Sequence, residues 1–342
     1  MRGALLLLTA ALLQAAPEPR AQAAQKTLPG LVEIVSTKDG TKQRAIWWRP
    51  DSAARGTEGP AVPLLVFLHS WSGSIEQGPP WIAQAKKMGW ALVAPDFRGP
   101  NRRPEACASD LAVQDVLDAV EHARREARID DARIYLVGGS GGGHMSLVMA
   151  ARAPQVWAGV SSWCPITDLA AWHAESATRK NSYARMLEQS CGGPPGPATE
   201  AEYRRRSPLF LLASAVGVPI DISTGIHDGH TGSVPVSHTL RAFNVLAAAD
   251  RRIPDEAIAA MVSERKIPDA LAAERQEDPE RAKAVLFRRV SGSARVTIFE
   301  GGHDSESSSA VLWLSRQRKG SPPDWSLGRK PAAPAAAQEV SR

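Results

Sequence analysis

Residues 133–144 read Arg-Ile-Tyr-Leu-Val-Gly-Gly-Ser-Gly-Gly-Gly-His. The apolar run from Ile134 to Val137 is typical of a buried parallel strand, and Met145 to Ala151 has the pattern of a helix. The glycine-rich corner between them matches Gly-x-Ser-x-Gly, in which a sharp strand-to-helix turn projects a serine hydroxyl above a sheet. The glycine spacing of a dinucleotide-binding or phosphate loop is absent from this corner. The corner therefore predicts an α/β fold with Ser140 as a candidate nucleophile.

Strand and helix patterns alternate on both sides of this corner, which favours a mostly parallel sheet flanked by helices. Residues 31–36 and 43–48 predict an antiparallel pair at the sheet edge, joined at Asp39-Gly40. The further predicted strands are 63–69, 91–96, 134–137, 158–164, 219–226 and 296–299, and the predicted helices are 79–88, 111–128, 145–151, 238–249 and 310–316.

The two ends of the chain differ in composition from its middle. Residues 1–24 combine Arg2, an apolar run and a small-x-small site, and they predict a secretory signal peptide. The apolar run is too short to span a bilayer, so we expect a secreted or periplasmic protein without a stable membrane anchor. Residues 25–319 form the predicted folded domain, and the Pro- and Ala-rich residues 320–342 predict a disordered tail.

Two connections are longer than an alternating α/β unit needs. Residues 168–215 carry several aromatic residues and prolines, and we interpret them as a cap-like insertion near the site. Residues 250–289 are highly charged, and they predict a peripheral helical decoration. We expect neither insertion to form a separate domain.

Charge and cysteine content exclude several classes of protein. The formal charge of +5 comes from arginines scattered over the 342 residues, so a nucleic-acid partner is not expected. Cys107 and Cys191 lie in loops and are the favoured disulfide pair, whereas Cys164 reads as a packed core thiol. No Cys/His spacing indicates a zinc site, and no cofactor is expected. Nothing in the sequence sets the oligomeric state.

A nucleophilic serine needs an imidazole base and a carboxylate that orients it, and in this fold class the acid precedes the histidine along the chain. His303 follows the last predicted strand in a Gly-Gly-His loop and is the candidate base. His230 and His238 are alternatives, although His238 opens a predicted helix.

Asp228 is the candidate acid because it comes just past the end of a predicted strand, where a carboxylate can reach the imidazole. Asp168 occupies a similar position after the preceding strand and stays open as an alternative. Asp221 lies within its strand, and a structural role is favoured for it.

Acyl transfer also needs donors for the oxyanion. Gly141 N–H and Trp71 N–H are the candidates, with Ser70 N–H as the alternative to Trp71. Trp163 and Trp172 are candidate walls of a substrate pocket; His144 reads as either a structural residue or a third wall. The glycines after Ser140 leave the helix start without side chains, which predicts open space for a bulky acyl group or sugar.

Residues 60–316 resemble the α/β-hydrolases and, more narrowly, the catalytic domain of prolyl oligopeptidases and related secreted esterases. The motifs that carry this resemblance are Phe67-Leu-His-Ser-Trp, Pro95-Asp-Phe-Arg-Gly, Gly138-Gly-Ser-Gly-Gly-Gly-His, Asp228 with Val234-Pro235, and Gly301-Gly-His303. Two features depart from the family pattern: Gly141 stands where such peptidases usually carry an aromatic residue, and only about forty residues of predicted mature chain precede the core. A peptidase gated by a β-propeller is therefore not expected.

The resemblance implies a serine peptidase that acts on short peptides or small molecules through an acyl-enzyme, with Ser140, Asp228 and His303 as its triad. The alternative is a carboxylesterase of the acetyl or feruloyl type that acts on acylated carbohydrates or small esters. A binding protein without turnover is a third hypothesis, which the complete set of triad residues disfavours.

Overall fold

The computed structural model describes residues 28–328, which fold around a nine-stranded sheet. In chain order the strands are β1 Leu31–Val35, β2 Lys42–Trp48, β3 Val62–Leu68, β4 Ala91–Pro95, β5 Ile129–Gly139, β6 Gly159–Trp163, β7 Ile220–Gly225, β8 Val285–Ser291 and β9 Ala294–Phe299. Their order in the sheet is β1-β2-β4-β3-β5-β6-β7-β9-β8. The six strands from β4 to β9 in that order are parallel, whereas β1, β2 and β8 are antiparallel to their neighbours. This confirms the predicted mostly parallel sheet with an antiparallel pair at one edge.

Helices cover both faces of the sheet. They are α1 Pro79–Met88, α2 Asp110–Glu126, α3 Gly141–Arg152, α4 Leu169–Thr178, α5 Tyr183–Cys191, α6 Glu200–Arg206, α7 Val236–Leu246, α8 Asp255–Glu264 and α9 Ser307–Leu314. Apolar residues of α2 and α3 pack in one core cluster, and those of α1 and α9 pack in another. Strand β3 is buried along its whole length, because a central parallel strand is covered on both faces. Its continuous apolar sequence is therefore a consequence of its place in the sheet.

The region after α8 differs from the predicted helical decoration at 250–289, because it ends in the edge strand β8. The prediction was wrong there because it rested on the high charge of the whole segment, to which Arg288 and Arg289 contribute. In the structure both are nearly buried within β8, where Arg288 donates to Asp278 at 2.7 Å and Arg289 pairs with Glu274. Carboxylates from outside β8 thus neutralise its arginines, so that a strand with two charged residues can be buried in the sheet.

Helices α4, α5 and α6 occupy the long connection at 168–215 and pack on the loops at the carboxyl end of the sheet. The contact is an aromatic cluster in which the Trp172 ring lies 4.8 Å from Trp71 and 4.7 Å from Tyr183. Val234, from the loop after β7, joins the same cluster. This insertion is therefore anchored beside the end of the sheet where the strand-following loops meet.

The predicted Cys107–Cys191 disulfide is not formed, and both residues are buried free thiols. Burial raises the pKa of Cys107 to about 11 and the pKa of Cys191 to about 12. Both side chains pack in the aromatic cluster as small neutral groups.

The described chain ends in a segment without helix or strand from residue 320 to residue 328, yet Trp325 stacks on Trp313 with ring centroids 5.4 Å apart. Fixed contacts thus extend into the predicted tail. The rest of that tail and the predicted signal peptide lie outside the described residues. Between residues 28 and 328, no helix has the length and apolar character that a membrane crossing requires.

Candidate active site

Ser140 lies at the corner where β5 ends and α3 begins. Its φ of 58° and ψ of −120° are unfavourable for a residue with a side chain, so this geometry persists only where the surrounding structure enforces it. Two backbone hydrogen bonds hold it: Ser140 N–H donates to Trp163 C=O at 2.8 Å, and His144 N–H donates to Ser140 C=O at 2.8 Å. The corner thus has the strained turn that the Gly-x-Ser-x-Gly pattern predicts.

The glycines after Ser140 are required by close backbone packing. A Cβ atom on Gly141 would lie 2.3 Å from the Trp71 nitrogen, and one on Gly142 would lie 2.1 Å from the Leu68 oxygen. Gly143 is buried as well. The prediction of open space at this corner is therefore wrong, because the neighbouring loop backbone already fills the place that side chains would take.

The same approach brings two backbone donors together beside Ser140. The N–H groups of Gly141 and Trp71 have no acceptor among residues 28–328. Ser70 N–H, the alternative donor, is already engaged with the Gln77 side-chain oxygen at 2.8 Å. The geometry therefore favours Gly141 and Trp71 over Ser70 as donors to a developing oxyanion.

His303 and Asp228 form a direct pair. The His303 Nδ1 atom lies 2.7 Å from Asp228 Oδ2, and Asp228 is buried. The other carboxylate oxygen accepts hydrogen bonds from Gly229 N–H at 2.8 Å and from Val234 N–H at 3.2 Å. These bonds fix the carboxylate, which in turn fixes the imidazole of His303 on the wall of the cavity.

Cys164 lies beside this pair, a contact that sequence reasoning missed when it assigned the thiol to the core. Its Sγ atom donates to Asp304 C=O at 3.2 Å, and Thr224 Oγ1 donates to it at 3.5 Å. Among the described residues, Cys164, Asp228 and His303 form the one group whose donor atoms, all within 4.8 Å of one another, could hold a metal ion. The signal available in the sequence was its position directly after β6, at the same sheet edge as Ser140 and Asp228.

The protonation of His303 depends on these neighbours. Burial alone would lower the pKa of His303, but its interactions with Asp228 and Cys164 outweigh burial and hold that pKa above its ordinary value. The site therefore stabilises the imidazolium, which is the form that a general base adopts after it removes a proton.

A cavity of about 560 Å³ opens in front of Ser140 and His303. Its walls are partly aromatic: Trp163 lines it, and Phe67 and Trp81 stack on each other with centroids 4.7 Å apart. The polar lining residues are Ser70, Glu76, Gln77, Cys164, Asp304, Ser305 and Ser307. The cavity has the size of a pocket for a small molecule or a short peptide segment.

Trp172 and His144 do not line this cavity, and their predicted place in a pocket wall is wrong. Trp172 is fully buried and donates from its ring nitrogen to Ser233 C=O at 2.8 Å. His144 is also fully buried, and its Nε2 atom lies 2.7 Å from Arg206 C=O. Burial lowers the pKa of His144 to about 4, so the ring is neutral and serves a structural hydrogen bond.

The alternative acids and bases have other partners. Asp168 caps α4 by accepting hydrogen bonds from Ala170 N–H and Ala171 N–H, and Asp221 is paired with buried arginines. The alternative bases do not line the cavity at Ser140: His230 contacts Val262 C=O, and His238 contacts Thr167 and Glu175. Neither alternative acid contacts His303.

A model of the prolyl oligopeptidase family matches residues 80–260, which is more than half of the chain. The chain belongs to the prolyl oligopeptidase family. The matched region contains Ser140 and Asp228, while His303 lies beyond it. Family membership and fold thus agree with the resemblance that the motifs carry.

Solved structures of larger proteins share the fold of this family member. An acylaminoacyl peptidase of Pyrococcus horikoshii is 19% identical, with 64% of this chain and 34% of that chain covered and a TM-score of 0.51. A puromycin-hydrolyzing peptidase of Mycobacterium tuberculosis is 17% identical over 84% of this chain and 38% of that chain, with a TM-score of 0.54. Prolyl oligopeptidase B of Galerina marginata is 20% identical over 63% of this chain and 31% of that chain, with a TM-score of 0.51. The chain spans about a third of the length of these proteins.

Proposed function

We propose that the protein is a serine hydrolase that cleaves acyl bonds of short peptides or small molecules through an acyl-enzyme. The observation that carries the proposal is the 2.7 Å contact between His303 Nδ1 and Asp228 Oδ2 on the wall of the cavity that also exposes the strained Ser140. An imidazole fixed by a buried carboxylate beside a serine at such a corner is the arrangement that acyl transfer needs.

In the proposed reaction, Ser140 Oγ attacks the substrate carbonyl while His303 Nε2 accepts the hydroxyl proton. Asp228 stabilises the resulting imidazolium, and Gly141 N–H and Trp71 N–H donate to the tetrahedral oxyanion. His303 then gives its proton to the departing amine or alcohol, which leaves an acyl group on Ser140. Water, activated by His303, releases the acyl group and regenerates the serine.

Peptidase activity is the first candidate, because every named relative with this fold is a peptidase and the chain belongs to their family. A carboxylesterase is the second candidate. The observation that favours it is the aromatic wall formed by Phe67, Trp81 and Trp163, which suits the flat group of an aromatic ester.

Labelling with a fluorophosphonate probe tests the proposal, because such probes react with serines activated by a neighbouring base. We expect labelling of the wild type and none of Ser140→Ala, with Ser146→Ala as the matched control. Ser146 lies on the same helix, is buried and donates to Gly143 C=O, and it lies outside the cavity lining. Labelling that persists in Ser140→Ala, or no labelling of the wild type, would contradict the proposal.

A substrate panel separates the two candidates. Peptidyl anilides report amide cleavage, and p-nitrophenyl acetate with a feruloyl or acetyl sugar ester reports ester cleavage. Turnover of the anilides would support the peptidase. Ester turnover without any anilide turnover would support the carboxylesterase.

We also propose that the protein works in the periplasm or outside the cell, on the composition of residues 1–24. Sequencing the amino terminus of the protein recovered from its natural host tests this. We expect a mature chain that begins near residue 25, and recovery from the cytoplasm with Met1 intact would contradict it.

A further inference from the structure

A second cavity, of about 460 Å³, is lined by six residues, three of them arginine and none of them acidic. We call it the arginine groove, and its lining residues are Arg102, Arg103, Ser182, Arg185, Met186 and Gln189. Such a concentration of one charge is unusual in a chain whose other arginines are mostly paired with carboxylates. This concentration of positive charge points to a functional role for the groove.

Two segments of the chain build the groove. One wall is a single face of α5 and its first flanking residue, because Ser182, Arg185, Met186 and Gln189 are spaced by three or four residues. The opposite face of the helix is fixed in the core by Leu187 and its buried neighbours. The other wall is the loop between β4 and α2, which supplies Arg102 and Arg103.

The charge in the groove is largely unneutralised. The guanidinium groups of Arg102 and Arg185 have no hydrogen-bond or ion-pair partner among residues 28–328, and the Arg103 guanidinium donates to the Arg98 backbone carbonyl. Glu188, the acid nearest in sequence on α5, is occupied by His173 at 2.8 Å. A guanidinium without a carboxylate partner is a ready binding group for an anion, since its planar fork of donors matches a carboxylate.

Both walls of the groove contact the loop that supplies an oxyanion donor. Ser72 Oγ lies 3.9 Å from Met186 Sδ, and Asn101 N–H donates to Trp71 C=O at 2.8 Å. Trp71 itself packs against Gly141, the residue after the nucleophile. One loop therefore connects the groove with the corner that carries Ser140.

We propose that the arginine groove binds a carboxylate of the substrate, at a distance from the bond that Ser140 attacks. This inference rests on the proposed function and adds a substrate class to it: esters or amides that carry a carboxylate, as acidic peptides and uronic-acid sugars do. Arg102 and Arg185 are the specificity residues, and the groove contributes to binding rather than to the chemical step.

Matched charged and neutral substrates test the groove. We would compare p-nitrophenyl monoesters of dicarboxylic acids of increasing chain length with esters of monocarboxylic acids of equal length, and aryl esters with and without a carboxylate on the leaving group. In the wild type we expect a lower KM for the charged member in at least one series. Arg102→Gln and Arg185→Gln should each raise that KM by about fivefold and leave the neutral substrates unchanged, because an exposed charge pair contributes up to about 1 kcal/mol.

Arg241→Gln is the matched control. Arg241 is an exposed arginine of α7 whose guanidinium has no partner among the described residues, and it lies outside the groove. This variant loses the same charge and should keep the wild-type KM for both substrate classes. Arg185→Glu should raise the charged-substrate KM further than Arg185→Gln does, and added salt should reduce the wild-type preference. Equal effects of the groove variants on charged and neutral substrates, or no preference in either series, would overturn the proposal.

A binding measurement keeps the groove testable if the proposed function fails. Calorimetric titration of Ser140→Ala with an oligogalacturonate and with an acidic peptide should show binding of one of them that Arg185→Gln weakens, and the ligand that binds identifies the source of the carboxylate. Hydrolysis that depends on Ser140, but with no Arg185-dependent binding of either ligand, would overturn the groove and leave the hydrolase intact. Absence of Ser140-dependent hydrolysis would contradict the hydrolase, while Arg185-dependent binding would still support a carboxylate site.

Discussion

Two buried carboxylates, seven residues apart on and after β7, have opposite surroundings. Asp221 Oδ1 accepts from Arg295 Nε at 2.8 Å, and Arg281 lies 3.5 Å from its other oxygen. Asp228 instead faces His303, whose ring reaches the cavity. A guanidinium stays charged at every physiological pH, whereas an imidazole can take up and release a proton. The partner of a buried acid, more than the acid itself, thus separates a structural site from a candidate catalytic one.

The arginine cluster around Asp221 also has a connection to the cavity. The Arg281 guanidinium lies 4.7 Å from the centre of the Trp163 ring, which forms part of the cavity wall. Burial alone would raise the pKa of Asp221, but Arg295 and Arg281 outweigh burial and lower it. The cluster therefore contacts the wall through Arg281 as a set of permanent charges, whereas His303 is the group at the cavity that exchanges a proton.

Replacing Asp228 should have the largest effect on catalysis. Asp228→Asn places an amide donor opposite His303 Nδ1 and favours the wrong tautomer, so kcat should fall by about 10⁴-fold. The free energy of unfolding should change by only about 1 kcal/mol, because the side-chain oxygen can still accept from the nearby backbone N–H groups. Steady-state kinetics and urea unfolding of the same preparation measure both. A kcat of Asp228→Asn within tenfold of the wild-type value would show that Asp228 is not the acid of the triad.

Replacing Asp221 should show the reverse pattern. Asp221→Asn leaves buried guanidinium groups without their countercharge and should lower the free energy of unfolding by about 3–5 kcal/mol. The kcat of the folded fraction should stay within about threefold, because no atom of Asp221 contacts His303. The double variant Asp221→Asn/Arg295→Gln should be less unstable than the sum of its single variants. If Asp221→Asn kept the wild-type stability and lost most of its kcat, the proposed difference between a structural Asp221 and a catalytic Asp228 would be wrong.

Gly232 tests how tightly the Asp228–His303 pair is packed. A Cβ atom there would lie 2.3 Å from Asp228 Oδ1 and 2.5 Å from His303 Cβ, so Gly232→Ala must displace one of them. We expect kcat to fall by about 10²-fold, since small displacements of a catalytic group are costly. Gly196→Ala is the control, because no atom lies within 4 Å of a Cβ at that position. Equal kinetics of the two variants would show that the pair tolerates displacement.

Removing the Cys164 thiol should have the smallest effect. Its contact helps to hold the pKa of His303 high, so Cys164→Ala should lower that pKa. Since the base must be neutral, the acid limb of the kcat/KM profile should move to lower pH, by less than about one unit. Cys107→Ala removes another buried free thiol and should leave the limb in place. If the acid limb of the kcat/KM profile did not shift in Cys164→Ala, or shifted to higher pH, this role of the thiol would be contradicted.

The alternation of apolar strands and helices predicted the sheet, and together with the Gly-x-Ser-x-Gly motif and the order of acid and base it predicted where Ser140, Asp228 and His303 lie relative to the strands. Each of these residues lies in the loop or turn that follows a strand, and the carboxyl ends of parallel strands meet at one edge. For these three residues, the local sequence pattern is therefore enough to indicate that they lie close together in the fold. The oxyanion candidates could be ranked only with coordinates, because the choice between Trp71 and Ser70 depends on the Gln77 side chain that occupies Ser70 N–H.

The rest depends on contacts between distant residues. Nothing near Trp172 shows that its ring is enclosed by Trp71 and Tyr183, and nothing near Gly141 shows that the Trp71 backbone fills the adjacent space. Strand β8 was missed for the same reason, because its arginines become compatible with a sheet only through acids from another segment. Side-chain orientation and burial of charge are properties of the folded chain.

The acyl-enzyme itself provides the most direct test. The protein would be mixed with p-nitrophenyl acetate, quenched in acid during turnover and digested for mass spectrometry. The account predicts an acetyl group on the peptide that contains Ser140, absent from Ser140→Ala and more persistent at low pH, where His303 is protonated and cannot activate the water. Ester turnover with no acetylated Ser140, or with the acetyl group on another residue, would contradict it.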